Sequence, residues 1–219
     1  MNISIPEKLK VSLEEKRLIF TINAGRSGTG YLAKLLHIVP NVVGYHEPEP
    51  DFVDVMRPVQ QDASIAYKFW INRKLPQILN EQVPMYIETS HLFCKGFVEP
   101  LLKLGITPDL IILTRPHRKA VTSLYQLGKI PGRTEKGLRY FLSPEDQGVL
   151  LLPGWQALDD YQLCYWYCLE IERRCKEYKK MFLKKNTCVV EVSLNELKTI
   201  RDFNKLIKKL NLPNIGVSS

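Results

Sequence analysis

Short apolar runs of strand length alternate along the chain with longer stretches whose apolar residues recur at helical spacing. The runs RLIFTIN (17–23), NVVGYHE (41–47), MYIETS (85–90), DLIILTR (109–115) and TCVVEVS (187–193) have the length and β-branched content of buried strands. Helical patterns fall at 28–38, 63–80, 96–104, 117–128 and 159–183, then at 195–210. Strands alternating with helices predict βαβ units: a three-layer α/β fold with a mostly parallel central sheet flanked by helices. In such sheets ligands bind in the loops that follow the carboxyl ends of the strands.

A length of 219 residues suits one such domain, spanning 1–219. One stretch departs from the alternation. Residues 128–157 carry several Gly and Pro and exceed a routine connection, so they are expected to form an irregular insertion or lid. The opening residues MNISIPEKLKVSLEEKR are polar and mixed in charge, and no run approaches the roughly 18 apolar residues of a spanning helix. The expectation is a cytoplasmic protein without a transmembrane segment.

Composition changes the picture only through charge. Apolar content of 45% and charged content of 25% are ordinary for a folded protein, whereas a net charge of +8 favours an anionic ligand. The five cysteines (94, 164, 168, 175 and 188) have no CxxC spacing, and Cys164, Cys168 and Cys175 share one helical face. They read as core residues, with neither a metal site nor a disulfide framework expected.

The chemistry begins in INAGRSGTGYLAKLL (22–36), a strand running through a glycine-bearing turn into a helix. Gly25, Gly28 and Gly30 permit backbone that a Cβ resists, and the helix start aims free N–H groups at the turn. A phosphate there gains hydrogen bonds and a favourable dipole, with Ser27 and Thr29 adding hydroxyls and Arg26 a forked cation. Yet Tyr31 and Leu32 stand where an ATP- or GTP-binding loop has Lys and Ser or Thr. A second strand, turn and helix, DLIILTRPHRKAVTSLYQL, places Arg115 at a strand end and Ser123 eight residues later. In a parallel sheet both turns open onto one edge, which suits a ligand with two separated phosphate groups.

These two segments together resemble the sulfotransferases that use 3′-phosphoadenosine 5′-phosphosulfate (PAPS). That family's 5′-phosphosulfate loop reads Lys or Arg, Ser-Gly-Thr, Thr or Ser, any residue, Leu, and RSGTGYL matches it. Its 3′-phosphate segment keeps an Arg and a Ser eight residues apart, matched by RPHRKAVTSLY with the proline shifted one place. The resemblance covers about residues 17–195 and implies a P-loop nucleotide-hydrolase-like sulfotransferase fold. It implies that Arg26 contacts the 5′-phosphosulfate and steadies the leaving phosphate. Ser27, Gly28, Thr29, Gly30 and Tyr31 would then cradle the 5′-phosphate, and Arg115 and Ser123 would bind the 3′-phosphate. Gly30 stands where many members have Thr or Ser, so one hydroxyl contact is lost.

For the acceptor side, VVGYHEPEPDF places His46 and Glu47 at the edge of the second strand. Either can take a proton. Resemblance to the tyrosyl-protein and carbohydrate members favours Glu47 as base. His91 is the candidate under the scheme of the cytosolic small-molecule members, and His46 stays open beside it. Thr89, Ser90 and His91 line an acceptor pocket or simply end a strand. Lys95 reads as an exposed lysine and Glu49 as a solvated acid. The family's Gly- and Lys-containing cofactor loop is not evident in NLPNIGVSS at 211–219. The implied activity moves a sulfuryl group from PAPS, leaving 3′-phosphoadenosine 5′-phosphate (PAP), to a hydroxyl or amine of a small-molecule, carbohydrate or other acceptor, without a metal. A kinase with a degenerate loop and a polyanion-binding module are the alternatives. No DNA- or RNA-binding signature supports a nucleic-acid partner.

Overall fold

The structure is a computed structural model that describes residues 5–215. Five strands, β1 (Arg17–Ile22), β2 (Val42–His46), β3 (Met85–Thr89), β4 (Asp109–Thr114) and β5 (Val189–Ser193), form one sheet in the order β2-β3-β1-β4-β5. Every pairing is parallel. The five predicted apolar runs are these five strands.

Because successive strand side chains point to opposite faces, β1 feeds two cores. Leu18, Phe20 and Ile22 join a large cluster on one face, and Ile19 joins a smaller cluster on the other. The smaller core is closed by α2 (Thr29–His37) and α10 (Ile200–Lys209), through Leu32 and Leu36 and through Phe203, Leu206 and Ile207. The larger is closed chiefly by α4 (Ser64–Phe69), α5 (Leu75–Asn80), α6 (Val98–Lys103), α7 (His117–Gln126) and α9 (Asp160–Leu183). Helices on both faces make three layers. α4 and α5 are continuous through a π turn, Trp70–Lys74, so the predicted 63–80 segment is one helical unit.

Two short helices were not expected, α1 (Glu7–Glu14) in the polar opening stretch and α3 (Met56–Val59), while α8 (Glu135–Tyr140) lies inside the irregular 128–157 stretch. The irregular segment is fastened at several points. Ile130, Phe141 and Leu142 are buried, Trp166 Nε1 donates to Leu150 O at 3.0 Å, and Arg57 pairs with Asp146 at 2.5 Å. Cys164 and Cys168 are buried on α9, as their spacing predicts, with Cys175 half-buried beside them.

The strand order fixes the site's place. From β1 the chain crosses to β2 and returns through β3, while from β4 it moves outward to β5. The loops after β1 and β4 therefore diverge from neighbouring strands, which opens a crevice at the carboxyl edge between them.

Candidate active site

The first loop is shaped by left-handed backbone. Gly25, Arg26 and Gly28 have φ of 83°, 55° and 86°. Gly28 is the residue before α2 and turns the chain so that the helix N-terminus faces the crevice. At Gly25 a Cβ would lie 3.1 Å from His91 Cδ2, so glycine lets the imidazole pack under the loop. Asn23, buried at the end of β1, accepts from Gly25 N at 2.7 Å and sets where the turn starts. Arg26 is a non-glycine residue at positive φ, a conformation kept where surroundings impose it. Those surroundings come from the second motif. Arg115 Nη1 donates to Arg26 O, and Arg26 Nε donates to Ser123 Oγ at 3.1 Å. Residues 97 positions apart thus meet on one edge.

Between these loops lies a cleft of about 440 Å³. Residues 26–30 form one wall; Arg115, Pro116 and Lys119 form another, and Ser193 and Asn195 close it beyond β5. Among the described residues no Asp or Glu lines it, so Arg26, Arg115, Lys119 and the α2 N-terminus give the cleft a positive field suited to an anion. Lys119, Ser193 and Asn195 were not singled out from sequence. Lys119 lies in the first turn of α7, directly after the turn that carries Arg115, a place that could have flagged it. Tyr31 is half-exposed and lies outside this cleft, in a shallower depression with Lys34 and His37.

The candidate acid–base groups sit on the β2–β3 side. Glu47, at φ 47°, places Oε1 2.6 Å from His91 Nδ1 and 3.3 Å from the His91 N–H, with Ser90 Oγ at 3.5 Å. Burial pushes the Glu47 carboxyl upward, but the His91 hydrogen bond and the nearby imidazoles outweigh it and hold the pKa at about 2. Burial, aided by the charge of Lys95 and opposed by Glu47, brings His91 down to about 4. The pair is therefore an anionic carboxylate accepting from Nδ1–H of a neutral imidazole. His46 lines the cleft with its side chain 41% exposed. Its Nδ1 lies 2.9 Å from Thr89 O, a carbonyl that can only accept. Nδ1 thus carries a proton, and Nε2 lies 4.0 Å from Glu47 Oε2.

Gly30 has a partner of its own. A Cβ there would stand 3.3 Å from His46 Cδ2, so the imidazole occupies the space beside the position where the resemblance expects a hydroxyl-bearing side chain. Glu49 is exposed, as read. Lys95 is not: it is fully buried, donates to Tyr140 O at 2.6 Å and lies 5.0 Å from the ring centroids of both Phe141 and Tyr167. A carbonyl and two aromatic faces replace its water. Of the 211–219 stretch, residues 216–219 lie outside the described residues. Among the described residues no helix is long and apolar enough to cross a membrane.

No protein-family profile and no curated protein sequence matches the chain. Among solved structures it is similar to the sulfotransferase domain from the Synechococcus PCC 7002 olefin synthase, with a TM-score of 0.56 and 12% identity over 100% of this chain and 80% of that one. The five-stranded parallel sheet flanked by helices is thus an α/β fold shared with a sulfotransferase domain.

Proposed function

We propose that this protein is a PAPS-dependent sulfotransferase acting on a hydroxyl or amine acceptor. The observation that carries the reading is the meeting of Arg26 with Ser123 and Arg115 at the crevice of a sulfotransferase-like sheet. The cleft fits the donor's charge: it is lined by cations, hydroxyls and a helix N-terminus and by no acid. When bound, PAPS supplies an activated sulfuryl group. Backbone N–H groups of 27–30 and the hydroxyls of Ser27 and Thr29 hold the 5′-phosphate, with Tyr31 contributing through its backbone in the first turn of α2. Arg115, Ser123 and Lys119 hold the 3′-phosphate. Arg26, joined to Ser123 and Arg115, would offset charge that grows on the leaving oxygen.

The proton of the acceptor goes to the Glu47–His46 pair. Oε1 of Glu47 is committed to His91, leaving Oε2 4.0 Å from Nε2 of His46, which lines the cleft. A hydroxyl placed between them can donate to either, and a proton on Nε2 forms an imidazolium beside the carboxylate. His91 holds the carboxylate in place.

Calorimetric titration with PAP and, separately, with ATP and magnesium tests the donor assignment. PAP alone should bind tightly, and Arg115→Ala should weaken PAP while sparing adenosine 5′-phosphate. Tight binding of magnesium-ATP with no binding of PAP overturns the reading in favour of a kinase. Equal losses for both ligands in Arg115→Ala overturn the 3′-phosphate assignment.

A further inference from the structure

The segment 128–140 builds a second cationic feature, separate from the donor cleft. Four of its basic residues divide into two groups. Arg133 is used structurally, pairing with Asp160 and donating to Leu158 O at 2.8 Å. Lys129, Lys136 and Arg139 have no hydrogen bond or ion pair with a carboxylate among the described residues. Two of them converge on one ring: Lys129 Nζ stands 4.2 Å from the Tyr140 ring centroid, and the Arg139 guanidinium carbon 5.5 Å from it.

That convergence is enforced by the backbone. A Cβ on Gly137 would fall 1.9 Å from Ile130 O, so only glycine lets α8 close against the arm that carries Lys129. Thr134 Oγ1 ties the turn, accepting from Ile130 N at 2.9 Å and from Gly137 N at 3.1 Å. Lys95 then pins the far end through Tyr140 O. The ring they surround is stacked on His91, with centroids 6.4 Å apart and planes 25° apart, and His91 holds Glu47. Lys129 and Arg139 are therefore one aromatic ring removed from the Glu47–His91 pair, and none of the three cations lines the donor cleft. Half-buried Lys129 has its pKa lowered by burial and by the repulsion of Arg26, Lys136 and Arg139, against the pull of Glu47. Like charges held together without an internal counter-ion are destabilising unless a ligand supplies the counter-charge.

We propose that the acceptor is itself an anion, bearing a carboxylate, sulfate or phosphate near its reacting hydroxyl, and that Lys129 and Arg139 grip that group on the Tyr140 side of Glu47. This rests on the sulfotransferase reading and names the substrate class of the same site. Tyr140 gives the two cations a shared platform, and the grip orients the hydroxyl toward Glu47 and His46.

The test uses PAP-saturated protein and three probe pairs that differ in charge: 4-hydroxyphenylacetate against 4-(2-hydroxyethyl)phenol, glucuronate against glucose, and 3-hydroxybutyrate against 1,3-butanediol. In at least one pair the anion should bind about tenfold or more tighter, as one charge-assisted contact implies. Lys129→Gln and Arg139→Gln should each reduce that preference while PAP affinity stays within about twofold, which also shows that the variants fold. Equal affinities within every pair, or no binding of any probe, overturn the inference while leaving the donor assignment standing. A preference that survives both substitutions, or a loss of PAP affinity alongside it, also overturns it by moving the anion elsewhere or returning the cations to the donor. Failure of wild-type protein to bind PAP sinks the sulfotransferase reading itself.

Discussion

Replacing Lys74 by methionine removes a cation that is 0% exposed and leaves its partner Glu88 at 0% exposure as well. Lys74 Nζ lies 2.8 Å from Glu88 Oε2 and also donates to Pro48 O at 3.1 Å and Pro50 O at 3.0 Å. In the variant Glu88 keeps one donor, Tyr86 Oη at 2.7 Å, while its Oε1 has no hydrogen-bond partner among the described residues. Breaking a buried pair on one side costs about 3–5 kcal/mol. Burial already raises the Glu88 pKa against the charge and hydrogen bond of Lys74, so the stranded carboxyl takes up a proton, which keeps the loss near the lower figure. For a domain of this size each kcal/mol lowers Tm by about 2–4 °C, giving a drop of roughly 6–12 °C in thermal unfolding followed by circular dichroism. Lys74→Met with Glu88→Leu removes both charges and should recover most of the loss. A single variant that melts with the wild type, or a double variant no better than the single, would refute the account of Lys74 as the counter-ion of Glu88. Because Pro48 directly follows Glu47 and Pro50 lies two residues beyond it, the single variant should also lose turnover below its melting range while still binding PAP.

Gly30→Ala brings a methyl group to 3.3 Å from His46 Cδ2, so the imidazole must shift by a few tenths of an ångström. Turnover should fall about three- to tenfold with PAP affinity nearly unchanged, and the reverse pattern would remove His46 from the acid–base assignment. Acid should destabilise the protein through His91: its pKa is about 4 when folded against an ordinary 6.5, so the unfolded chain takes up the proton first. That stability is present above pH 6.5 and is lost as pH falls toward 4, by up to about 3 kcal/mol. Glu47, depressed to about 2, extends the loss below its ordinary 4.5. Urea midpoints at pH 7, 6, 5 and 4 should fall less steeply in His91→Gln than in wild type, and parallel slopes would show that another group carries the acid sensitivity.

The features legible in the sequence are those that local spacing encodes. All five strands could be read because a parallel sheet buried on both faces needs nearly continuous apolar runs. The α2 N-terminus could be read because glycines and a hydroxyl pair announce the turn. α1 was missed and α8 could not be bounded within 128–157 because each is a turn or two of helix with mixed polarity, and contacts such as Gly137 against Ile130 O have no periodic signature. Lys95 was misread for a related reason. Its burial depends on Tyr140 O and on the rings of Phe141 and Tyr167, which lie far along the chain.

The site divides along the same line. Arg115 and Ser123 stand out by their spacing of eight, yet nothing local to either segment places Ser123 within 3.1 Å of Arg26. That contact follows from β1 lying beside β4 in register, Ile19 opposite Asp109 and Ile22 opposite Ile112, which brings both following turns to the same height. Glu47 and His91 meet for the equivalent reason at the other side, since β2 pairs with β3 from Val42 opposite Met85 to His46 opposite Thr89. Residue 47 and residues 90–91 must then leave the sheet together, and a carboxylate one residue past the end of β2 falls within reach of the first turn after β3. The register of two strand pairs thus turns four separate sequence signals into one crevice, with the cations of the 26–30 and 115–119 turns on its β1–β4 side and the acid–base group on its β2–β3 side. A substitution that slipped either register by one residue would leave every motif intact in the sequence and separate the groups it proposes to combine.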